Sequence, residues 1–201
     1  MVNLFSRAAF LLLLTVCAAT AQDAASIPGP NSWAAHGAAP LKSVETIEIA
    51  AAPERVWAVA SDFGGYDWLP GVARVESSGG HTPEIDRRKL IMRDGGIVEE
   101  TLIRWDDEKK TLAFHRDRDN VKRLPAINYM SHVTVKPTTD GRSLVEWKGR
   151  FYRGHPFNDP PAGLDDETAL KAVTALHRAN LSALKARVES GESGESGTTV
   201  R

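Results

Sequence analysis

Cysteine is all but missing from this chain. The single one, Cys17, stands inside an N-terminal apolar run, so the remainder has neither a disulfide nor a thiolate nucleophile. Charge of one sign is missing too: 25 basic residues face 26 acidic ones, for a net charge of −1. Such a balance makes no field of the kind that draws nucleic acid or anionic lipid. Beyond the N-terminal run no stretch is apolar enough for a membrane span. The G-x-S-x-G elbow, the phosphate-cradling glycine loop, the dinucleotide fingerprint and H-E-x-x-H are all absent. The 6 histidines (36, 81, 115, 132, 155 and 177) are scattered without ligand spacing, so no cofactor and no metal site is expected.

What is present begins with Arg7, followed by an apolar run over residues 8–19 that is too short to cross a bilayer. It ends in Ala19-Thr20-Ala21, a small-x-small pattern, and reads as a signal peptide cut after Ala21. The rival reading is a lipoprotein anchor at Cys17, but Val16 occupies the place where a lipobox wants a small residue. The expected product is periplasmic or secreted. Residues 22–41, rich in Ala, Gly and Pro around a lone Trp33, read as a linker, and 42–189 as the folded domain. The tail 190–201 repeats Glu-Ser-Gly, has nothing to bury and is expected to be disordered.

The strongest periodic signal lies in residues 165–188. Leu170, Val173, His177, Leu181, Leu184 and Val188 fall on one helical stripe, broadened by Ala169, Ala172 and Leu176, while Lys171, Arg178, Lys185 and Glu189 face away. Asp165 is placed to cap the helix. Asp166 and Glu167 suit the positive end of its dipole, as Lys185 and Arg187 suit the negative end. Burying its five aliphatic side chains is worth roughly 8–15 kcal/mol gross, as much as a whole domain's net stability. The helix must therefore pack on something.

Its partner is predicted to be an antiparallel sheet. Strand-like runs fall at 42–50, 72–77, 88–93, 97–105, 111–116, 127–136 and 143–152, separated by short turns such as Asp94-Gly95-Gly96 and Thr139-Asp140-Gly141. In the first, Val44, Thr46 and the Ile47/Ile49 pair alternate with Glu45 and Glu48. In the last, Val145, Trp147, Gly149 and Phe151 face one way. Pro53 opens a short helix whose buried side is Val56, Trp57, Val59 and Ala60, and residues 66–71 form a turn or half-helix. The fold class is α+β, with about seven strands and two short helices after the first.

Pro53-Glu54-Arg55-Val56-Trp57, Asp62-Phe63, Trp68-Leu69-Pro70-Gly71-Val72, Glu99-Glu100, Leu124-Pro125-Ala126-Ile127-Asn128-Tyr129 and the terminal helix, taken in that order, resemble the START-like superfamily. That group includes polyketide cyclase/dehydrase-like proteins, lipid-transfer START domains, the birch-pollen allergen type and plant abscisic-acid receptors. Asp62-Phe63-Gly64-Gly65, Arg93-Asp94-Gly95-Gly96 and residues 124–129 are similar to its exported bacterial branch, which includes an accessory protein of periplasmic methanol oxidation. The resemblance implies a helix-grip fold, a curved sheet around the terminal helix with a cavity for a small hydrophobic or amphipathic ligand. It implies ligand contacts from Phe114, Tyr129, Trp147, Phe151, His177 and Leu181, and a mouth loop of Trp68, Leu69 and Pro70.

Set against it is the plainer reading that the aromatics, above all Trp57, Phe63 and Phe151, are core. His177 likewise reads as a core histidine or as one facing a bound molecule. Glu99 and Glu100 are neighbours on a strand and must point to opposite faces. The inward one is either an acid or base, with His177 and Tyr129 as companions, or is salt-bridged to Arg88 or Arg104. Residues 116–123 (RDRDNVKR) read as a solvated loop rather than an anion site. Three functions follow: an exported, non-catalytic binding protein; an accessory protein of a periplasmic dehydrogenase; and a cyclase or dehydratase.

Overall fold

The structure, a computed structural model, describes residues 38–191. The expected leader with its cleavage site and Cys17, most of the linker with Trp33, and residues 192–201 of the tail lie outside the described residues. Ten segments follow in order: β1 (Leu41–Ile49), α1 (Pro53–Ala60), a 3-10 turn (Tyr66–Trp68), β2 (Val72–Ser77), β3 (Arg87–Met92), β4 (Ile97–Asp106), β5 (Thr111–Arg116), β6 (Ala126–Pro137), β7 (Ser143–Arg153) and α2 (Asp166–Glu189). The strands make one antiparallel sheet in the order β1-β7-β6-β5-β4-β3-β2. Hairpins link β2 through β7, and β1 returns to pair with β7, Leu41 opposite Phe151. This curved sheet with α2 laid along β1 and β7 is the expected helix-grip arrangement.

Local chemistry accounts for the helices. Pro53 takes the first turn of α1, where its missing N–H costs nothing, and the helix ends at Ser61, whose N–H bonds to Trp57 O. Asp165 caps α2 by accepting from Thr168 N at 2.7 Å, with Asp166 and Glu167 in the first turn. Arg187 supplies the basic group of the last turn, whereas Lys185 turns aside to donate to Glu48 O at 2.8 Å.

Two expectations need correction. The buried seam of α2 runs through Ala169, Val173, His177, Asn180, Leu181, Leu184 and Val188, while Leu170 is 40% exposed. Stepping back by four from Val173 reaches Ala169, and a residue one position further on is turned by about 100° off the seam. In β1 the inward residues are Leu41, Ser43, Glu45, Ile47 and Ile49, and Val44 faces out. The middle of the strand abuts the polar flank of α2, so Ser43 and Glu45 stand on the inner face beside the aliphatics. Ser43 Oγ lies 3.0 Å from Thr174 Oγ1, Arg178 Nε donates to Glu45 at 2.8 Å, and Ala50 N donates to Glu189 at 2.9 Å. The face expected to be wet is therefore partly a rail along β1.

The apolar interior is divided. A large cluster joins α1, the sheet and the C-terminal half of α2 through Val56, Trp57, Leu112, Val145, Leu181 and Leu184. A smaller one gathers Leu124, Ala126, Tyr129, Phe151, Ala169 and Val173 around the N-terminal half. His177 and Asn180 lie on the helix between them. Leu184→Ala is expected to cost about 2–5 kcal/mol, as cavity-forming core truncations do, and Leu170→Ala no more than about 0.5 kcal/mol. Urea unfolding of both variants checks this; equal losses would put Leu170 in the seam after all.

Candidate functional site

Between the sheet and α2 the packing stops short and leaves a cavity of about 260 Å³. Leu69, Pro70 and Val72, from the loop after the 3-10 turn, stand at one side of it. Leu90, Met92, Val98, Leu124 and Leu176 make aliphatic wall, and Phe114 and Trp147 make aromatic wall. The remaining lining is polar: Arg88, Glu100, Arg116, Arg123, Tyr129, Ser131 and Asn180.

Register explains the charged part. Arg88 on β3 is opposite Glu100 on β4, which is opposite Arg116 on β5, so three charged residues form a row across adjacent strands. Arg88 is 1% and Glu100 3% exposed. The Arg88 guanidinium meets Glu100 Oε2 through Nε at 2.7 Å and Nη2 at 2.6 Å; the second contact is close but poorly aligned for a hydrogen bond. Its Nη1 donates to Phe63 O at 3.1 Å. Three rings enclose it, with centroids 3.8 Å (Tyr66), 4.2 Å (Phe63) and 4.5 Å (Phe114) from its central carbon. Burial pushes the Tyr66 hydroxyl up to about 12 against the pull of Arg88, and that hydroxyl donates to Ala60 O at 2.6 Å.

A second polar system crosses from the sheet to the helix. Trp147 Nε1 donates to Ser131 Oγ at 3.0 Å, Ser131 Oγ donates to the Tyr129 hydroxyl at 2.7 Å, and that hydroxyl lies 2.8 Å from His177 Nε2. An indole N–H can only donate, so Ser131 Oγ accepts from Trp147 and donates onward to Tyr129; between the Tyr129 hydroxyl and His177 Nε2 the donor is set by the imidazole's tautomer, and His177 Nδ1 is buried without a partner. Burial pushes Tyr129 up to about 12 and His177 down to about 4, consistent with a neutral chain. Gly149 makes room for it, since a Cβ there would lie 2.7 Å from His177 Cε1 and 3.1 Å from Tyr129 Cε2.

At the rim, loops distant in sequence meet. Arg93 N donates to Gly71 O at 2.8 Å, and Arg123 Nη2 grips both oxygens of Asp94 at 2.7 Å. The Gly96 N–H and the Arg123 guanidinium hold the Asp94 carboxyl below its usual range. A Cβ on Gly96 would collide with that guanidinium.

Of the residues singled out from sequence, Leu69, Pro70, Phe114, Tyr129, Trp147 and Glu100 line the cavity. His177 stands one hydrogen bond behind Tyr129. Trp68 packs on Tyr66 with ring centroids 4.7 Å apart, and Leu181 and Phe151 belong to the apolar clusters. Glu99 is on the other face, 3.3 Å from both Lys89 and Arg118, and Arg104 pairs with Asp106 rather than with either glutamate. Sequence reasoning missed Arg116, Arg123, Ser131 and Asn180. The run 116–123 is a correction: it was expected to be a solvated loop, yet both its end arginines reach the cavity. Strand alternation from inward Phe114 would have found Arg116. No group of three or more potential metal ligands occurs among the described residues.

The depressed pKa of His177 has a sign. Between about 4 and 6.5 the unfolded chain binds a proton that the folded chain refuses, so stability rises with pH through that window and is lost as pH falls through it. The effect amounts to up to about 3 kcal/mol. His177→Gln does not titrate and is expected to flatten that part of the pH–stability curve in urea unfolding. Equal slopes in both proteins would place the His177 pKa near its ordinary value.

Residues 40–189 match a family model described as polyketide cyclase / dehydrase and lipid transport. Among solved structures, an uncharacterised protein from Bacillus thuringiensis is 27% identical, with a TM-score of 0.61 over 74% of this chain and 99% of its own. The protein XoxI from Bacillus cereus is also 27% identical, with a TM-score of 0.60 over 76% of this chain and 98% of its own. Norcoclaurine synthase from Thalictrum flavum, in complex with dopamine and hydroxybenzaldehyde, shares the fold at 18% identity and a TM-score of 0.57 over 92% and 99%. No curated protein matches the chain. The family match runs from the residue before β1 to the last residue of α2, and the chain belongs to the polyketide cyclase/dehydrase and lipid-transport family, within the START-like superfamily.

Proposed function

We propose that this protein is an exported, non-catalytic binding protein for a small amphipathic molecule held between the sheet and α2. The observation that carries the reading is the cavity of about 260 Å³, apolar along Phe114, Trp147 and the aliphatic wall and polar at the Arg88–Glu100–Arg116 row. Drug-sized ligands occupy about 300–1,000 Å³, so the occupant is smaller than that. The N-terminal run 8–19 and Ala19-Thr20-Ala21 support export.

Binding is favoured over acid–base chemistry by how the titratable groups are used. Glu100, the one carboxylate in the lining, is engaged by Arg88. The Ser131 hydroxyl is donated to Tyr129, and the Tyr129 oxygen is held between Ser131 and His177 Nε2. Proton transfer to a ligand would require one of these bonds to break first.

A second reading makes the domain an accessory protein of a periplasmic alcohol dehydrogenase. What supports it is the rim, where turn 93–96, a landmark of the exported branch, is clasped through Asp94 to Arg123, which directly precedes the landmark at 124–129. Native mass spectrometry of the protein from its own cells is expected to show a small-molecule adduct. Its release should change the emission of Trp147, and Trp147→Phe should lose that change. An adduct-free mass across several growth conditions would sink the binding reading, and co-purification of an alcohol dehydrogenase subunit with such a protein would favour the second.

A further inference from the structure

The guanidinium groups at the cavity are not equally provided for. Arg88 has Glu100 and Phe63 O, and Arg123 has Asp94. Arg116 makes no ion pair and no hydrogen bond among the described residues. Its Nε is shielded from solvent and unpartnered, and its central carbon lies 5.1 Å from the Tyr129 ring centroid. The acids near it in sequence spend their hydrogen bonds elsewhere: Asp119 accepts from Asn128 N at 3.1 Å with both oxygens and feels Arg116 only as a nearby charge, and Asp117 accepts from Thr101 Oγ1 at 2.7 Å. Glu100 sits between Arg88 and Arg116 in the row and gives itself to Arg88. The Arg116 Nε–H beside the cavity is thus left without an acceptor.

A buried donor without an acceptor is costly, and more so when charged. The row is completed when a second anion arrives beside Arg116. On the same strand and face, Phe114 is two residues away, about 7 Å, and Trp147 packs edge-on to Phe114 with ring centroids 6.2 Å apart. An acidic head on Arg116 therefore puts an apolar body of five or six carbons' length, or an aryl group, along the aromatic wall. From α2, Asn180, 6% exposed, lines the same space and makes no hydrogen bond to the described residues. It offers an amide to the second face of such a head.

Building on the binding reading above, we propose that the ligand is a small organic monocarboxylate, its carboxylate paired with Arg116 and its apolar part against Phe114 and Trp147. A cation brings no acceptor to the Arg116 guanidinium. A phosphate monoester brings nearly two charges to a site with one unmatched guanidinium.

The test titrates the full protein, stripped of any bound molecule, with octanoate and 2-naphthoate. Each acid is compared with its primary amide and the matching amine, and 2-naphthyl phosphate is added as a further arm, using calorimetry and Trp147 emission. Each acid is expected to bind tighter than its amide by on the order of tenfold to a hundredfold, the worth of a charge-assisted hydrogen bond. Arg116→Gln should abolish that gap, and Arg116→Lys should restore part of it. Thermal melts confirm that the variants fold, and the acid–amide comparison in the unaltered protein needs no variant at all. Equal binding of acid and amide overturns the carboxylate proposal but leaves a neutral-ligand binding protein. A gap that survives Arg116→Gln overturns the assignment to Arg116. Tighter binding of the phosphate overturns the ligand class. Silence from every compound overturns this inference and counts against the binding reading as well.

Discussion

A guanidinium taken out of water must find a carboxylate, and the Arg88–Glu100 pair is where this domain meets that demand. Removing either partner of such a buried pair strands a charge, at a cost of about 3–5 kcal/mol. The pair also ties together pieces that hydrophobic burial alone leaves in loose register. Through Phe63 O and the Tyr66 ring it holds the segment after α1 against β3 and β4. That segment leads into Leu69 and Pro70, so the loop beside the cavity is anchored by an ion pair inside it. A well-packed apolar replacement would be no less stable in principle, but it would fill the space that the charges keep open.

The polar chain from Trp147 to His177 has a comparable role on the other side. It stands between the two apolar clusters and links β7 and β6 to the middle of α2 by three hydrogen bonds. Directional bonds of this sort fix one arrangement where greasy packing accepts several. Gly149 is the local condition for it, because the strand must give up a side chain for the imidazole to come so near.

Much of this architecture is legible in the sequence, for reasons that can be named. Turn residues mark four of the five hairpins, Pro53 and Asp165 open the helices, and the alternation of Val145, Trp147, Gly149 and Phe151 is strict enough to assign a face. Where reading fails, one element borrows its inner face from another. Val44 looks inward by hydrophobicity, yet β1 meets the polar flank of α2 and turns Ser43 and Glu45 in instead. Leu170 fits a helical period that the seam does not follow. In the cavity, aromatics such as Phe114 and Trp147 were visible because large rings announce themselves. The charged lining was not, since Arg116 and Arg123 bracket a run whose composition is that of a solvated loop. Only a pairing of β3, β4 and β5 reveals that Arg88, Glu100 and Arg116 stand side by side.

The pairing of β1 with β7 has a consequence for how the molecule assembles. Leu41 waits for Phe151, and α2 then docks across both strands. Contacts so far apart along the chain slow the search for the native state, because closure entropy is spent before any contact is made. The chamber thus exists only through the docking of α2 on the sheet. A molecule enclosed by that event delays the escape from the native basin more than it hastens the arrival.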